Sequence, residues 1–330
     1  MKKFPFEDFT LVMTRNCNLA CEYCPLEHFD WSISTEVLDI FFNKISNYND
    51  YKLYITLFWW EPLLNRKWIE YIFKLFERDE KIFSENNIQI TLKIVSNWSL
   101  LDDKYIELLA KLNSFTFIKL VLNISIDWNK ETQLRQRNYK WGHVDYYSKL
   151  IENIHKLISS DINIELWMVM SFFNDDIFSD VVFLLKEFKI PLFLMPVDLT
   201  LNYIDKDKNI YKNITKYLVN IEKTLKLIEL NKLSNFIVNY KNEYRDIKIP
   251  PIWPTIDING DIYTTRDFLF TMDKSIVFDT IWNIKNDNLL EYFDNNIWEI
   301  EQETLKLYYW RTLTINKKIW DYFTKLVYKK

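Results

Sequence analysis

The stretch Thr14-Arg-Asn-Cys17-Asn-Leu-Ala-Cys21-Glu-Tyr-Cys24-Pro25 holds every cysteine of the 330-residue chain, spaced C-x3-C-x2-C. It directly follows an apolar, β-rich run at 9–13, so it is expected as a loop at that strand's C-terminal end. An odd, tightly clustered set of thiols does not suit a disulfide framework; it suits a metal or cluster site in a reducing compartment. Three thiolates on one loop can hold three irons of a cubane cluster and leave the fourth iron open. The competing reading is a zinc site completed by His28, Cys3His, in a non-enzymatic binding module.

Five further β-rich runs follow, at 53–58, 88–95, 118–126, 162–170 and 191–197. Helical spacing appears between them at 35–46, 67–77, 102–112, 144–158 and 176–188. Strands alternating with helices of this length mean βα units and a parallel sheet. Six units fall short of a closed eight-fold barrel. The expected fold is therefore α/β, a partial (β/α)6 TIM-like barrel over about residues 1–200, with a smaller C-terminal α+β region over 201–330. In that region 202–231 reads as helix, 256–264 as a hairpin around Asn259-Gly260, and 289 onward as helices with a basic tail.

The bulk numbers exclude several classes. Net charge is −4, which gives nucleic acid no basic field to meet. No apolar run reaches the roughly 20 residues of a membrane span, and the start is too short and too interrupted by Pro5 and Glu7 for a signal peptide. A cytoplasmic enzyme is expected. Glycine occurs only twice and tryptophan 13 times, where ordinary usage of about 7% would give roughly 23 glycines. Turns with φ > 0 and close backbone approaches need more glycine than that. We expect most of these tryptophans to be glycine in an organism that reads UGA as glycine. UGG codons at both Trp59 and Trp60 would refute this.

Short motifs stand at the other strand ends. After the second strand comes Leu57-Phe58-Trp59-Trp60-Glu61-Pro62, after the third Ser96-Asn97-Trp98-Ser99-Leu100, after the fourth Ser125-Ile126-Asp127-Trp128. Ser96 and Asn97 read equally as a helix N-cap, and Arg135 and Arg137 equally as a solvated charge run. With the cysteine spacing, these motifs resemble the radical S-adenosylmethionine superfamily, with tryptophan where its G-G-E-P, S-N-G-T-L and S-I-D-G carry glycine. The resemblance implies one [4Fe–4S] cluster on Cys17, Cys21 and Cys24. It implies S-adenosylmethionine contacts at Tyr23, Trp59, Trp60, Glu61, Ser96, Asn97, Ser125, Asp127 and Arg137, with no catalytic side chain beyond the cluster. In it Tyr23 packs beside the adenine, Glu61 meets the cofactor's ammonium and Arg137 its carboxylate. Glu131 and Arg135 match the pattern before Arg137, but Gln133-Leu134 replaces the usual His-Asp.

The same resemblance extends weakly past residue 200. The hairpin and Ile281-Trp282-Asn283-Ile284 look like a SPASM or twitch domain whose auxiliary-cluster cysteines are missing. It implies an oxidoreductase that cleaves S-adenosylmethionine to a 5′-deoxyadenosyl radical, which abstracts hydrogen from a substrate, expected to be a peptide or protein. A low-potential donor, flavodoxin or ferredoxin, is implied. A relative that keeps the cluster but has lost turnover is the remaining alternative.

Overall fold

The computed structural model describes residues 7–24, 26, 28–58, 60–127, 129–142, 144–160, 162–171, 174, 176–196, 210–230, 255–259, 261–263 and 282–283. Six parallel strands form the frame: β1 (Asp8–Val12), β3 (Lys52–Phe58), β4 (Gln89–Ser96), β5 (Ile118–Ser125), β7 (Asn163–Met170) and β8 (Leu192–Pro196). They pair in that spatial order, each parallel to the next. These are the six runs expected from the sequence. The sheet does not close into a barrel. Between the strands lie α1 (Thr35–Ser46), α2 (Arg66–Glu85), α3 (Asp103–Asn113), α5 (Tyr147–Ile158) and α6 (Ile177–Phe188).

The strands alternate because one face carries the helices. Leu53, Ile55 and Leu57 on β3, Leu92 and Ile94 on β4, and Leu120, Leu122 and Ile124 on β5 are at most 1% exposed and belong to one apolar core. Full burial of such a side chain stabilises by about 1.5–3 kcal/mol, so a one-residue register slip would forfeit a whole row. A chain of aromatic rings runs through Phe42, Phe76, Phe83 and Phe117, with centroids 5.0, 6.0 and 5.1 Å apart, and ties α1 and α2 to the start of β5.

Helix starts follow their caps. Ser34 accepts from Val37 N at 3.2 Å and Asp102 from Tyr105 N at 3.0 Å, satisfying donors that the first turn leaves open. Helix α2 outruns its expected end at 77. Past that point the charged run Arg78-Asp79-Glu80-Lys81 pairs Arg78 with Asp79, while Phe76 and Phe83, seven apart, stay on the buried face. At the end of α6, Lys189 sits at φ 55°, in the left-handed region, with its N–H on Leu185 O. A side chain there costs roughly 1 kcal/mol against glycine. Lys189→Gly is expected to raise the urea midpoint by an equivalent of about 0.5–1 kcal/mol, glycine's looser unfolded chain taking back part of the gain.

Some features were not expected from the sequence. A short helix α4 (Lys130–Gln136) leads into β6 (Arg137–Tyr139), which pairs antiparallel with β2 (Leu19–Cys21) inside the cysteine loop. The place of the hairpin is another. Strand β9 (Thr255–Ile256) lies parallel to β1, with β10 (Asp261–Tyr263) antiparallel beyond it and β11 (Trp282–Asn283) at the edge. The hairpin thus extends the main sheet. The expected helix at 202–231 is α7 (Ile210–Leu230). The helices expected from 289 onward lie outside the described residues. No helix among the described residues is long and apolar enough to cross a membrane.

Candidate active site at the C-terminal edge of the sheet

The cysteine loop leaves β1 and returns beside it. Its neck is closed by Arg15 N to Trp31 O at 2.8 Å, Phe29 N to Arg15 O at 2.7 Å and Ile33 N to Met13 O at 3.0 Å. The three cysteines are free; Cys17 is buried, and Cys21 and Cys24 are half-buried. Burial pushes all three thiols up, Cys21 to about 12 with Arg137 pulling against the shift; Cys21 and Glu61 add to the rise at Cys17. Donors reach the Cys17 sulfur from Leu19 N at 3.4 Å and Asn97 Nδ2 at 3.9 Å.

Glu61 is the hub on one side of the loop. It is fully buried, and its carboxylate accepts from Leu63 N at 2.9 Å, Ser96 Oγ at 2.7 Å and Asn97 N at 2.8 Å. Its own N–H donates to Asn16 O at 3.1 Å. One residue therefore joins the ends of β3 and β4, through its side chain, to the cysteine loop, through its backbone. Ser96 and Asn97 are not a helix N-cap; Asp102 caps α3. Asn97 also donates to Asn18 Oδ1 at 2.9 Å and accepts from Ser99 Oγ at 2.6 Å.

Desolvation outweighs these donors and pushes the Glu61 carboxyl from 4.5 up to about 7. The folded chain then holds this proton more tightly than the unfolded chain, so its contribution to stability falls as pH rises from about 4.5 to about 7. A rise of this size is worth roughly 3 kcal/mol at full ionisation. Glu61→Gln loses the Asn97 contact at every pH but removes this slope. The difference in urea midpoint between wild type and variant, in iron-free protein, is expected to move in the variant's favour between pH 5 and 7.5. A constant difference refutes it.

Asp127 is the hub on the other side, also fully buried. It accepts from Tyr23 Oη, from Arg137 Nε and Nη2, the latter at 2.9 Å, and from Val169 N at 2.9 Å. Its own N–H donates to Gln133 Oε1 at 2.9 Å. Arg137 lies 5.4 Å from the centre of the Tyr23 ring, and its carbonyl accepts from Tyr146 Oη at 2.9 Å. Strand pairing sets Arg137 directly opposite Cys21. So Arg137 is not part of a solvated run: it is 7% exposed, while Arg135 is exposed.

Ser125 stands at the last position of β5, half-buried, opposite Trp167. Trp60 is half-buried at φ 52°, and Trp98 is fully buried at φ 54° with Nε1 donating to Asn123 O at 2.9 Å. Trp59 and Trp128 lie outside the described residues. The sequence reading missed Asn18, Gln133 and Tyr146. Gln133 was visible as a departure from the family's pattern; its fully buried amide is what orients the Asp127 backbone.

In parallel α/β sheets the C-terminal edge is where active sites are built, and here that edge carries a loop with three thiols. The pattern of the Radical SAM superfamily matches residues 11–185, more than half of the sequence, and the chain belongs to this superfamily. Among solved structures, the fold is similar to anSMEcpe with bound AdoMet, at 17% identity and TM-score 0.71 over 97% of each chain. It is similar to anSMEcpe with bound AdoMet and Cp18Cys peptide, at 20% identity and TM-score 0.68 over 89% of this chain and 82% of that one. Streptococcus suis SuiB bound to precursor peptide SuiA gives 13% identity and TM-score 0.58 over 89% and 66%. No curated protein sequence matches. At these identities the likeness is one of fold.

Proposed function

We propose that this chain is a radical S-adenosylmethionine enzyme that holds one [4Fe–4S] cluster on Cys17, Cys21 and Cys24 and modifies a peptide or protein. The observation that carries the proposal is three free thiols on the loop after β1, buttressed from β4 by Asn97 and from β6 by Arg137. The donor set fits. None of the thiols is spent in a disulfide, and N–H groups point at the Cys17 sulfur, as cluster thiolates require for their charge.

When bound, the cluster supplies the electron that cleaves S-adenosylmethionine to methionine and a 5′-deoxyadenosyl radical. The chain's own residues bind and shield. Cys17, Cys21 and Cys24 give up their raised-pKa protons on ligation. With S-adenosylmethionine bound, position 60, and 59 by the resemblance, would lend backbone to the methionine moiety, and Glu61 with Ser96 and Asn97 would fix the loop facing it. Tyr23 would flank the adenine. Ser125 and Asp127 would serve the ribose, and Arg137 would offer the carboxylate the N–H groups that Asp127 leaves over. The peptide substrate is supported by the peptides bound in two structures of similar fold. The reading further assigns 1–200 to the core domain and 201–330 to a SPASM-like region without cluster cysteines, in the cytoplasm, with a flavodoxin or ferredoxin as donor.

Anaerobic reconstitution tests this. About four irons and four sulfides per chain are expected, and 5′-deoxyadenosine on reduction with S-adenosylmethionine. Stoichiometric zinc without sulfide sinks the proposal. A cluster without 5′-deoxyadenosine, in protein carrying glycine at the four motif tryptophans, leaves a decayed relative.

A further inference from the structure

The hairpin of β9 and β10 carries no cysteine, yet it is seated on the cysteine loop from both sides. Arg15, two residues before Cys17, donates through Nε to Asp257 Oδ1 at 3.3 Å and through Nη2 to Asp257 Oδ2. The Asp257 side chain is 4% exposed and that of Arg15 20%. Asp257 is itself fixed, its N–H on Asp261 O at 2.9 Å across the hairpin. The Arg15 guanidinium also lies 5.9 Å from the centre of the Trp60 ring. On the other side, Ile258 packs with Val12 in a small apolar cluster that Leu26, two residues after Cys24, and Trp60 join. Ile256 is held in register opposite Leu11 of β1. Three successive hairpin residues thus grip the end of β1, the outgoing limb of the loop and its returning limb.

We propose that this hairpin positions the cysteine loop, with Asp257 as its positioning residue acting through Arg15, so that a segment without thiolates governs how firmly the cluster is held. This rests on the function proposed above for its consequence, but not for the contact. A charge-assisted, bidentate pair between a buried carboxylate and a guanidinium resists rotation of the arginine. Arg15 in turn is pinned through its backbone to Phe29 and Trp31, so its displacement opens the neck.

The test uses the full chain. In the iron-free protein, Asp257→Asn is expected to raise amide hydrogen exchange over 15–31 at least tenfold while β5 stays at the wild-type rate; Asp257→Glu keeps the charge and restores most of the protection. In the reconstituted protein, Asp257→Asn is expected to release iron to a ferrous chelator at least fivefold faster and to change the EPR line shape of the reduced cluster. Wild-type exchange over 15–31 in Asp257→Asn overturns the proposal. So does faster exchange with unchanged iron release and line shape, since the contact is then merely structural. Asp79→Asn, which breaks an ion pair far from the loop, controls for general loss of stability: iron release as fast as in Asp257→Asn at equal thermal midpoint also overturns it. If the unsubstituted chain takes up neither iron nor sulfide, the proposed function fails, while the exchange result still decides whether the hairpin holds the loop.

Discussion

Asp127→Ala is expected to cost about 3–5 kcal/mol, matched among the polar positions of the site only by its partner Arg137. The carboxylate is fully buried and takes four donors: Tyr23 Oη, two from Arg137 and Val169 N. Removing it strands a buried guanidinium, and an uncompensated buried charge costs far more than the intact pair contributes. Arg137→Met is expected to cost a similar amount for the mirror-image reason. The double variant Asp127→Ala/Arg137→Met removes both charges, so it is expected to recover at least half of the summed single losses. Tyr23→Phe removes one donor and is expected to cost only about 1–1.5 kcal/mol. Urea denaturation of the four variants measures this. Strictly additive losses would show that Asp127 and Arg137 do not act as a pair.

The consequence reaches the cysteines. Arg137 sits opposite Cys21 in the β2–β6 pair, and Glu22 N donates to Gln136 O at 2.8 Å beside it. A loosened Arg137 therefore frees the middle of the cysteine loop. If the cofactor carboxylate meets Arg137 as proposed, it meets a guanidinium already spending two of its five N–H groups on Asp127. Asp127 then acts as the group that aims Arg137, and its variants are expected to weaken cofactor binding even where the fold survives.

The six strands were legible because each is a short apolar, β-rich run separated from the next by helical spacing, and the first four end in a short polar motif. The strand order also follows from local pattern plus the parallel rule, since each βα unit places its strand beside the last. The pairing of β2 with β6 was not legible. Three residues within a loop and three after a short helix carry no periodicity of their own, and their partners are over a hundred residues apart. The same holds for Arg15 and Asp257, 242 residues apart: a charge on each side of a chain says nothing about which charge it meets. Arg137 was ambiguous for a related reason. Spacing could not separate it from exposed Arg135, because a seven-residue helix followed directly by a strand places neighbours two apart on different sides.

Glycine at positions 60 and 98 is expected to have unequal effects on stability, and this sharpens the codon question. Both tryptophans lie in the left-handed region, φ 52° and 54°, where a bulky residue costs roughly 1–2 kcal/mol. Trp60 is half-buried, packs against the Val12–Ile258 cluster and has the Arg15 guanidinium 5.9 Å from its ring centre, so Trp60→Gly relieves strain but gives up that packing. Its net effect on stability is expected to lie within about 1 kcal/mol of zero. With Trp59→Gly it is expected to raise S-adenosylmethionine affinity about tenfold or more, close to 1.4 kcal/mol, read by calorimetry on reconstituted protein. Equal affinity for the literal sequence and the double glycine variant counts against a site that needs backbone approach there. Trp98 is different: it is fully buried, and its indole N–H is satisfied by Asn123 O. Emptying that space costs about 3–5 kcal/mol, which exceeds the strain relieved. Trp98→Gly alone is expected to destabilise by about 2–3 kcal/mol. A UGA codon at 98 therefore implies that β4, β5 and the helices over them close more tightly in the organism's protein than around this indole, and a stabilising Trp98→Gly would be direct physical evidence for the glycine reading.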